Sequence, residues 1–138
     1  LKVKNEGINI TIHAGEGDGV HSIQEALDNG AKRIGHGVRI IEDISDENIL
    51  GPTAEHILQN NIPLEVCITS NLHTNMYKSP QDHPISRLHN LGFNISLNTD
   101  NRLMSNTSID NELKIAKKAG IENPTSLLKY SASDSFLN

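Results

Sequence analysis

The sequence repeats one pattern four times: a short, mostly apolar run ends at a polar group. These runs alternate with amphipathic segments. The distance along the sequence from one run to the next is ~30 residues, as expected of one βαβ unit. Apolar runs of this kind favour parallel strands that are covered by helices. The predicted strands cover residues 8–12, 33–36, 63–68 and 93–98. Because the carboxyl ends of parallel strands meet at one edge, the sequence predicts one site assembled from several strands.

Helices are predicted between the strands from their apolar spacing and from the Gly and Pro residues at their ends. They cover residues 20–27, 53–60, 83–91 and 109–119, with a helix tail at 2–6, a first helical turn within 43–50 and a last helix from 123 to 137. About four βα units form half of a (β/α)8 barrel, whose usual size is ~250 residues. A small open α/β sheet is the competing architecture.

The bulk composition describes a globular chain of one domain by length. Hydrophobic residues make up 36% of the 138 residues and charged residues 21%. The net charge is −5 and no run of Lys or Arg is present, so nucleic acid is not an expected partner. No apolar stretch approaches the ~20 residues of a membrane span. The single cysteine allows no internal disulfide, which predicts a reducing, cytoplasmic setting.

His13 and Glu16 follow the first predicted strand and place an imidazole three residues from a carboxylate. Zinc-assisted hydrolysis requires a metal ligand beside a group that moves a proton, and this pair supplies both types. Each residue also has an ordinary interpretation. A strand-end His is more often a hydrogen-bonding residue than a ligand, and Glu16 alone could be a solvated loop carboxylate.

Two further strand ends carry groups of the same kind. His36 lies between two glycines at the end of the second strand, where a general base or a turn residue satisfied by the backbone would both fit. Asp100 follows the fourth strand, where a carboxylate suits a metal or caps the next turn. Combined with His13 and Glu16, these residues predict a metal-dependent hydrolytic site.

The remaining histidines and the cysteine receive simpler interpretations. Cys67 lies within an apolar strand and is predicted to be a small buried residue instead of a nucleophile. His73, just after the polar residues at 69–71, could reach the pocket. The histidines next to helical patterns are predicted to be surface residues: His21, His56, His83 and His89.

Four segments together resemble the adenosine deaminase family of the metal-dependent amidohydrolase superfamily, over nearly the whole chain. They are Thr11-Ile12-His13-Ala14-Gly15-Glu16, Arg33-Ile34-Gly35-His36-Gly37-Val38, Glu65-Val66-Cys67-Ile68-Thr69-Ser70-Asn71 and Ser96-Leu97-Asn98-Thr99-Asp100-Asn101-Arg102-Leu103-Met104-Ser105. The order and spacing of these segments make the resemblance specific.

The resemblance implies a (β/α)8 barrel with one catalytic Zn²⁺ and the hydrolytic deamination of adenosine to inosine. It assigns zinc ligation to His13 and Asp100, and proton donation toward purine N1 to Glu16. His36 would be the base that orients and helps deprotonate the attacking water. Asn101 stands where animal members carry a second Asp that contacts the purine, and an Asn amide can donate to the acceptor N7.

The family's other two zinc ligands form a His-x-His pair, and this sequence contains no His-x-His. The resemblance therefore predicts that residues 1–138 are a single partial domain, the C-terminal half of a deaminase barrel. Such a piece is expected to be inactive alone and to pair with itself or with the missing N-terminal half. A purine nucleoside is the expected small-molecule partner. Two alternatives remain: an adenine or modified-nucleotide deaminase, and a non-catalytic purine-binding homologue.

Overall fold

Four short strands form one parallel sheet in the computed structural model, which describes residues 6–128 and 136. The strands are β1 (Thr11–Ala14), β2 (Arg33–His36), β3 (Leu64–Val66) and β4 (Ile95–Leu97). They pair in sequential order, and every pair is parallel. Since parallel crossovers are right-handed, a sequential order keeps all connecting helices on one face of the sheet. This arrangement is that of a barrel wall, in which the second face lines the interior.

Five α-helices and three 3₁₀ helices connect or follow the strands in the described part of the chain. The α-helices are α1 (Val20–Asp28), α2 (Pro52–Gln59), α3 (Ile68–His73), α4 (Ile85–Asn90) and α5 (Ile109–Lys118). The 3₁₀ helices are Val38–Asp43, Pro80–Asp82 and Pro124–Leu128. Local chemistry sets the helix ends: Pro52 begins α2, and the Ser108 hydroxyl accepts a hydrogen bond from the Asn111 N–H at the start of α5.

The two faces of the sheet differ in chemistry. Ile34 and Leu64 are fully buried in one core cluster with helix residues such as Ile23. Burial of each such side chain stabilises the fold by about 1.5–3 kcal/mol. Neighbouring strand positions carry polar groups, and Arg33 Nη1 lies 3.1 Å from Glu65 Oε1. The helix-covered face therefore supplies the stability, while the opposite face is polar.

Most predicted elements are confirmed, and their ends shift by a few residues. The strand at 33–36 is observed as predicted, and the predicted helices at 20–27, 53–60 and 109–119 correspond to α1, α2 and α5. The first strand begins later than predicted and includes His13. The third strand ends at Val66, because the chain turns into α3 at Ile68.

The predicted helical turn within residues 43–50 is wrong. Asp43 is the last residue of a 3₁₀ helix, and the segment after it closes through an antiparallel bridge between Ile44 and Leu50. The Asp43 carboxylate is directed to the next helix, where its Oδ2 accepts hydrogen bonds of 2.9 Å from the N–H groups of Thr53 and Ala54. The acidic side chain thus satisfies the first turn of α2 instead of starting a helix of its own.

Two predicted terminal helices fall largely outside the described residues. Of the predicted helix tail at 2–6, only Glu6 is described, in a turn beside Gly7. The last predicted helix is observed as the 3₁₀ helix Pro124–Leu128, and the rest of its predicted span, apart from residue 136, lies outside the described residues. Across residues 6–128 and 136, no helix combines the length and the apolar character that crossing a bilayer requires.

Candidate active site

Three strand ends bring nitrogen and oxygen donors to one edge of the sheet. His13 pairs with Gly35 in the register of β1 and β2, and His36 is the last residue of β2. Asp100 follows β4 by three residues. The ligand atoms of His13, His36 and Asp100 lie within 4.8 Å of one another, which makes them the one group of three or more such side chains in the described part of the chain.

Gly35 makes room for the His13 ring. A Cβ atom at position 35 would lie 3.1 Å from His13 Cγ and 3.2 Å from His13 Nδ1, tighter than nine in ten real contacts of a Cβ atom, so the ring would have to shift. The absence of a side chain therefore lets the imidazole lie directly against the neighbouring strand.

The backbone is strained at two residues of this group. Six described residues other than glycine have a positive φ, and four of them are Asn; Asn, Asp and His adopt this conformation more often than other residue types. The other two are His36, with a φ of 62°, and Asp100, with a φ of 55°. Such strain costs about 1–3 kcal/mol per residue and accumulates at functional sites.

Glu16 completes the group from the loop after β1. Its Oε1 lies 3.4 Å from His36 Nδ1 and 3.4 Å from the Asn71 Nδ2 amide, which donates to it. The Glu16 side chain is 27% exposed, whereas that of His36 is 2% exposed. Burial lowers the pKa of His36, and the Glu16 and Asp100 carboxylates oppose this shift.

Asp100 is oriented from α3. Its Oδ2 accepts a hydrogen bond of 2.8 Å from Ser70 Oγ and lies 3.8 Å from His36 Nε2. The Asp100 side chain remains 32% exposed, so the carboxylate is held in place but still accessible. A ligand that reached it would meet His36 at the same time.

Two clefts give access to these groups. The first, of about 300 Å³, has His13, His36, Cys67 and Asp100 in its walls. The second, of about 420 Å³, is lined by Glu16 together with residues that include Arg39 and Tyr77.

The structure brings together His13, Glu16, His36 and Asp100, the four residues predicted to carry the chemistry. Asn101 is adjacent in sequence to Asp100 and exposed; its Oδ1 accepts hydrogen bonds of 3.1 Å from the N–H groups of Leu103 and Met104. His73 is exposed at the end of α3 and does not join the group of potential metal ligands among the described residues.

Cys67 is buried, as predicted, and burial raises the pKa of its thiol far above the ordinary value. His21, His56 and His89 are exposed, as predicted. The prediction that His83 is a surface residue is wrong, because its side chain is only 3% exposed.

The sequence placed Ser70 and Asn71 at a strand end beside the predicted site but indicated no role for either, and it did not place His83 there. His83 precedes Pro84, and a residue before proline is disfavoured in a helix. The predicted helix over 83–91 therefore starts later, at Ile85, and helix periodicity does not apply to His83. That His-Pro pair was the signal available in the sequence.

The donor atoms fit a zinc ion. Zinc in proteins accepts imidazole nitrogen and carboxylate oxygen, the two donor types of His13, His36 and Asp100. The space that Gly35 leaves for His13 and the Ser70 hydrogen bond to Asp100 hold two of these donors in place.

Comparisons with known proteins agree with this geometry. The chain is 48% identical to adenosine deaminase 1 of Streptomyces coelicolor over 117 residues, which are 81% of this chain and 30% of that enzyme. Its structure resembles adenine deaminase from Arthrobacter aurescens, with a TM-score of 0.83 and 25% identity over 99% of this chain and 41% of that one. It also resembles the N6-methyl-AMP deaminase from Arabidopsis thaliana, with a TM-score of 0.78 and 28% identity over 99% of this chain and 39% of that one.

The chain thus spans between 30% and 41% of the length of these relatives. The four parallel βα units are part of an α/β barrel of the deaminase type, which confirms the predicted fold class. Residues 2–131 match the family model for adenosine deaminase. The chain belongs to the adenosine deaminase family.

Proposed function

We propose that the complete protein carrying this chain is a zinc-dependent adenosine deaminase, which hydrolyses adenosine and deoxyadenosine to inosine and deoxyinosine. The observation that supports this most strongly is the convergence of His13, Glu16, His36 and Asp100 at one edge of the sheet. Two of these residues, His36 and Asp100, have strained backbones, as residues held for a functional reason often do.

In this reaction a water oxygen attacks C6 of the purine, the C6–N6 bond breaks and ammonia leaves. Glu16, in its acid form, would donate a proton to N1 and so favour attack at C6. His36 Nε2 and Asp100 Oδ2 flank one space, 3.8 Å apart. There the His36 Nε2–H would orient the attacking water and help its deprotonation, and the Asp100 carboxylate would take up the proton and pass it to the departing N6 amine.

His13 and Asp100 would hold the zinc ion. A bound zinc ion lowers the pKa of its water toward about 7, which supplies the nucleophile at neutral pH. Catalytic zinc sites use three or more protein ligands as a rule. Further ligands from the remainder of the barrel are therefore part of the proposal. Metal analysis of the complete protein, before and after chelation, tests it.

Asn101 would contact the substrate. Because Asn101 Oδ1 already accepts two backbone N–H groups, a purine contact would use its Nδ2 group. That group is a donor, and purine N7 requires one. The expected ligand is a small purine nucleoside, and a cytoplasmic location stays a prediction of the cysteine content.

A second candidate is deamination of adenine or of a modified nucleotide on the same scaffold. It is favoured by the likeness to the adenine and N6-methyl-AMP deaminases, although their identities of 25% and 28% are lower than the 48% to the adenosine enzyme. Ammonia release by the complete protein from adenosine, deoxyadenosine, adenine and N6-methyl-AMP separates the candidates. Preference for either of the last two would overturn the first proposal, and no release from any would favour the non-catalytic alternative.

This chain by itself is proposed to be inactive and to associate. Within the described residues, β1 and β4 each pair on one side only, and unpaired strand edges promote pairing with another chain. Inosine formation by the purified chain alone would contradict the first statement. A well-folded monomer in sedimentation would contradict the second.

A further inference from the structure

His83 occupies a buried position between the 3₁₀ helix Pro80–Asp82 and α4. Its Nδ1 accepts a hydrogen bond of 3.2 Å from the Ile85 N–H, so a neutral ring carries its proton on Nε2. Burial lowers the pKa of His83 to about 4, which keeps the ring neutral near pH 7. The Tyr77 ring packs against it, with 4.9 Å between the ring centroids.

This protonated nitrogen determines the orientation of the Asn71 amide. His83 Nε2 lies 3.2 Å from Asn71 Oδ1, and an N–H requires an acceptor at that position. Asn71 is fully buried, so neither end of its amide has water as an alternative partner.

The opposite end of the amide therefore faces the proposed site. Asn71 Nδ2 lies 3.4 Å from Glu16 Oε1 and 3.2 Å from His36 Nδ1. An amide nitrogen has two protons, one for each of these acceptors. If the amide were reversed, its oxygen would face Glu16 Oε1 and His36 Nδ1, and both atoms would lose the donor that Asn71 Nδ2 provides.

We propose that Asn71 and His83 are positioning residues for deamination: His83 holds the Asn71 amide in the orientation that places Glu16 and the His36 ring for the reaction. This role rests on the proposed function, because it is defined through Glu16 and His36. The side-chain amide of Asn71 bonds to His83, Glu16 and His36, and none of these hydrogen bonds includes the proposed zinc ligands His13 and Asp100. Their substitution should therefore lower kcat more than it changes KM or the zinc content.

Two substitutions of His83 separate this role from a purely structural one. In His83→Gln the side-chain amide nitrogen can replace Nε2 and still donate to Asn71. In His83→Asn the shorter side chain can still accept from the Ile85 N–H but does not reach Asn71. A positioning role predicts that the Gln variant keeps kcat and the Asn variant does not. A role confined to the start of α4 predicts that the Asn variant keeps kcat and the Gln variant does not.

The experiment uses the complete protein, with adenosine as substrate. We expect His83→Asn to lower kcat about tenfold to a hundredfold at similar KM and zinc content, and His83→Gln to remain within about threefold of the wild type. His89→Asn, at an exposed histidine in α4, is the matched control and should leave kcat unchanged.

Equal kcat values for the Asn and Gln variants, or a better Asn variant, would overturn the proposal. If His83→Asn does not fold, Asn71→Asp replaces it, because this isosteric change presents a carboxylate to Glu16. An unchanged kcat in Asn71→Asp would overturn the proposal as well. An inactive wild type would instead refute the proposed deaminase function, so the two failures are distinguishable.

Discussion

Two networks of polar side chains meet at α3, and they use their carboxylates differently. Glu112 in α5 is fully buried; its Oε2 accepts from the Thr69 N–H at 3.3 Å and its Oε1 from Thr107 Oγ1 at 2.8 Å. Glu16 and Asp100, in the other network, keep 27% and 32% of their side chains exposed.

The difference separates stability from function. Both oxygens of Glu112 are satisfied inside the protein, which leaves no position for a ligand and fixes α5 against α3. The exposed carboxylates are held on one side by Asn71 or Ser70 and are accessible on the other. We therefore expect substitution of Glu112 to change mainly the stability and substitution of the exposed carboxylates to change mainly the activity.

The largest expected effect is that of Glu16→Gln in the complete protein. Loss of the proton donor should lower kcat for adenosine about 10²- to 10⁴-fold. The urea midpoint of unfolding should change little, since Glu16 is partly exposed. Glu122→Gln, at an exposed position, is the control with unchanged kcat. A Glu16→Gln variant with wild-type kcat would show that this network has no catalytic role.

The reverse result is expected for Glu112→Ala. The change leaves the Thr69 N–H and the Thr107 hydroxyl without their buried acceptor and should cost about 2–4 kcal/mol of unfolding free energy. The kcat per folded molecule should stay at the wild-type value. Urea denaturation beside Glu122→Ala measures this cost, and a loss of activity without a loss of stability would contradict the separation of the two networks.

We expect His83, which belongs to the network of Glu16 and Asp100, to make the free energy of unfolding depend on pH. Its pKa is lowered from 6.5 to about 4 in the folded state, so the unfolded chain binds more protons between these values. This contribution is complete above pH 6.5 and is lost as the pH falls toward 4. Between pH 7 and pH 5 the free energy of unfolding of the wild type should fall by about 2 kcal/mol more than that of His83→Gln. Equal pH slopes in urea titrations would refute this.

The smallest expected effect concerns the space beside His13. In Gly35→Ala the new Cβ would displace the His13 ring and should lower zinc affinity about tenfold. Gly17→Ala, where nothing lies within 4 Å of the added atom, is the matched control. Competition with a chromogenic chelator measures both affinities, and equal values would show that His13 is not held by this contact.

The residues proposed to carry the chemistry were easier to predict from the sequence than the contacts that hold them in place. His13, Glu16, His36 and Asp100 each follow or end an apolar run, and parallel strands deliver such residues to one edge. The sheet order follows from the same rhythm. The strand ends depend on the local sequence pattern, and the sheet order depends on general rules for how parallel strands are connected.

Asn71 and His83 were harder to predict because their roles depend on tertiary contacts. The strand predicted over 63–68 ends at Val66, and the polar residues after it form a short helix whose turn points Asn71 to Glu16. His83 lies 12 residues further along, and only the folded chain brings its ring to the Asn71 amide. The pattern of polar and apolar residues therefore did not indicate that His83 is buried.

The most direct test is the assay of the complete, zinc-loaded protein with adenosine, compared with Glu16→Gln at equal zinc content. We predict that the wild type forms inosine and ammonia in equal amounts and that the variant does so at least about a hundredfold more slowly. A folded, zinc-loaded wild type that forms no inosine, or a variant as fast as the wild type, would contradict the proposed roles of these residues.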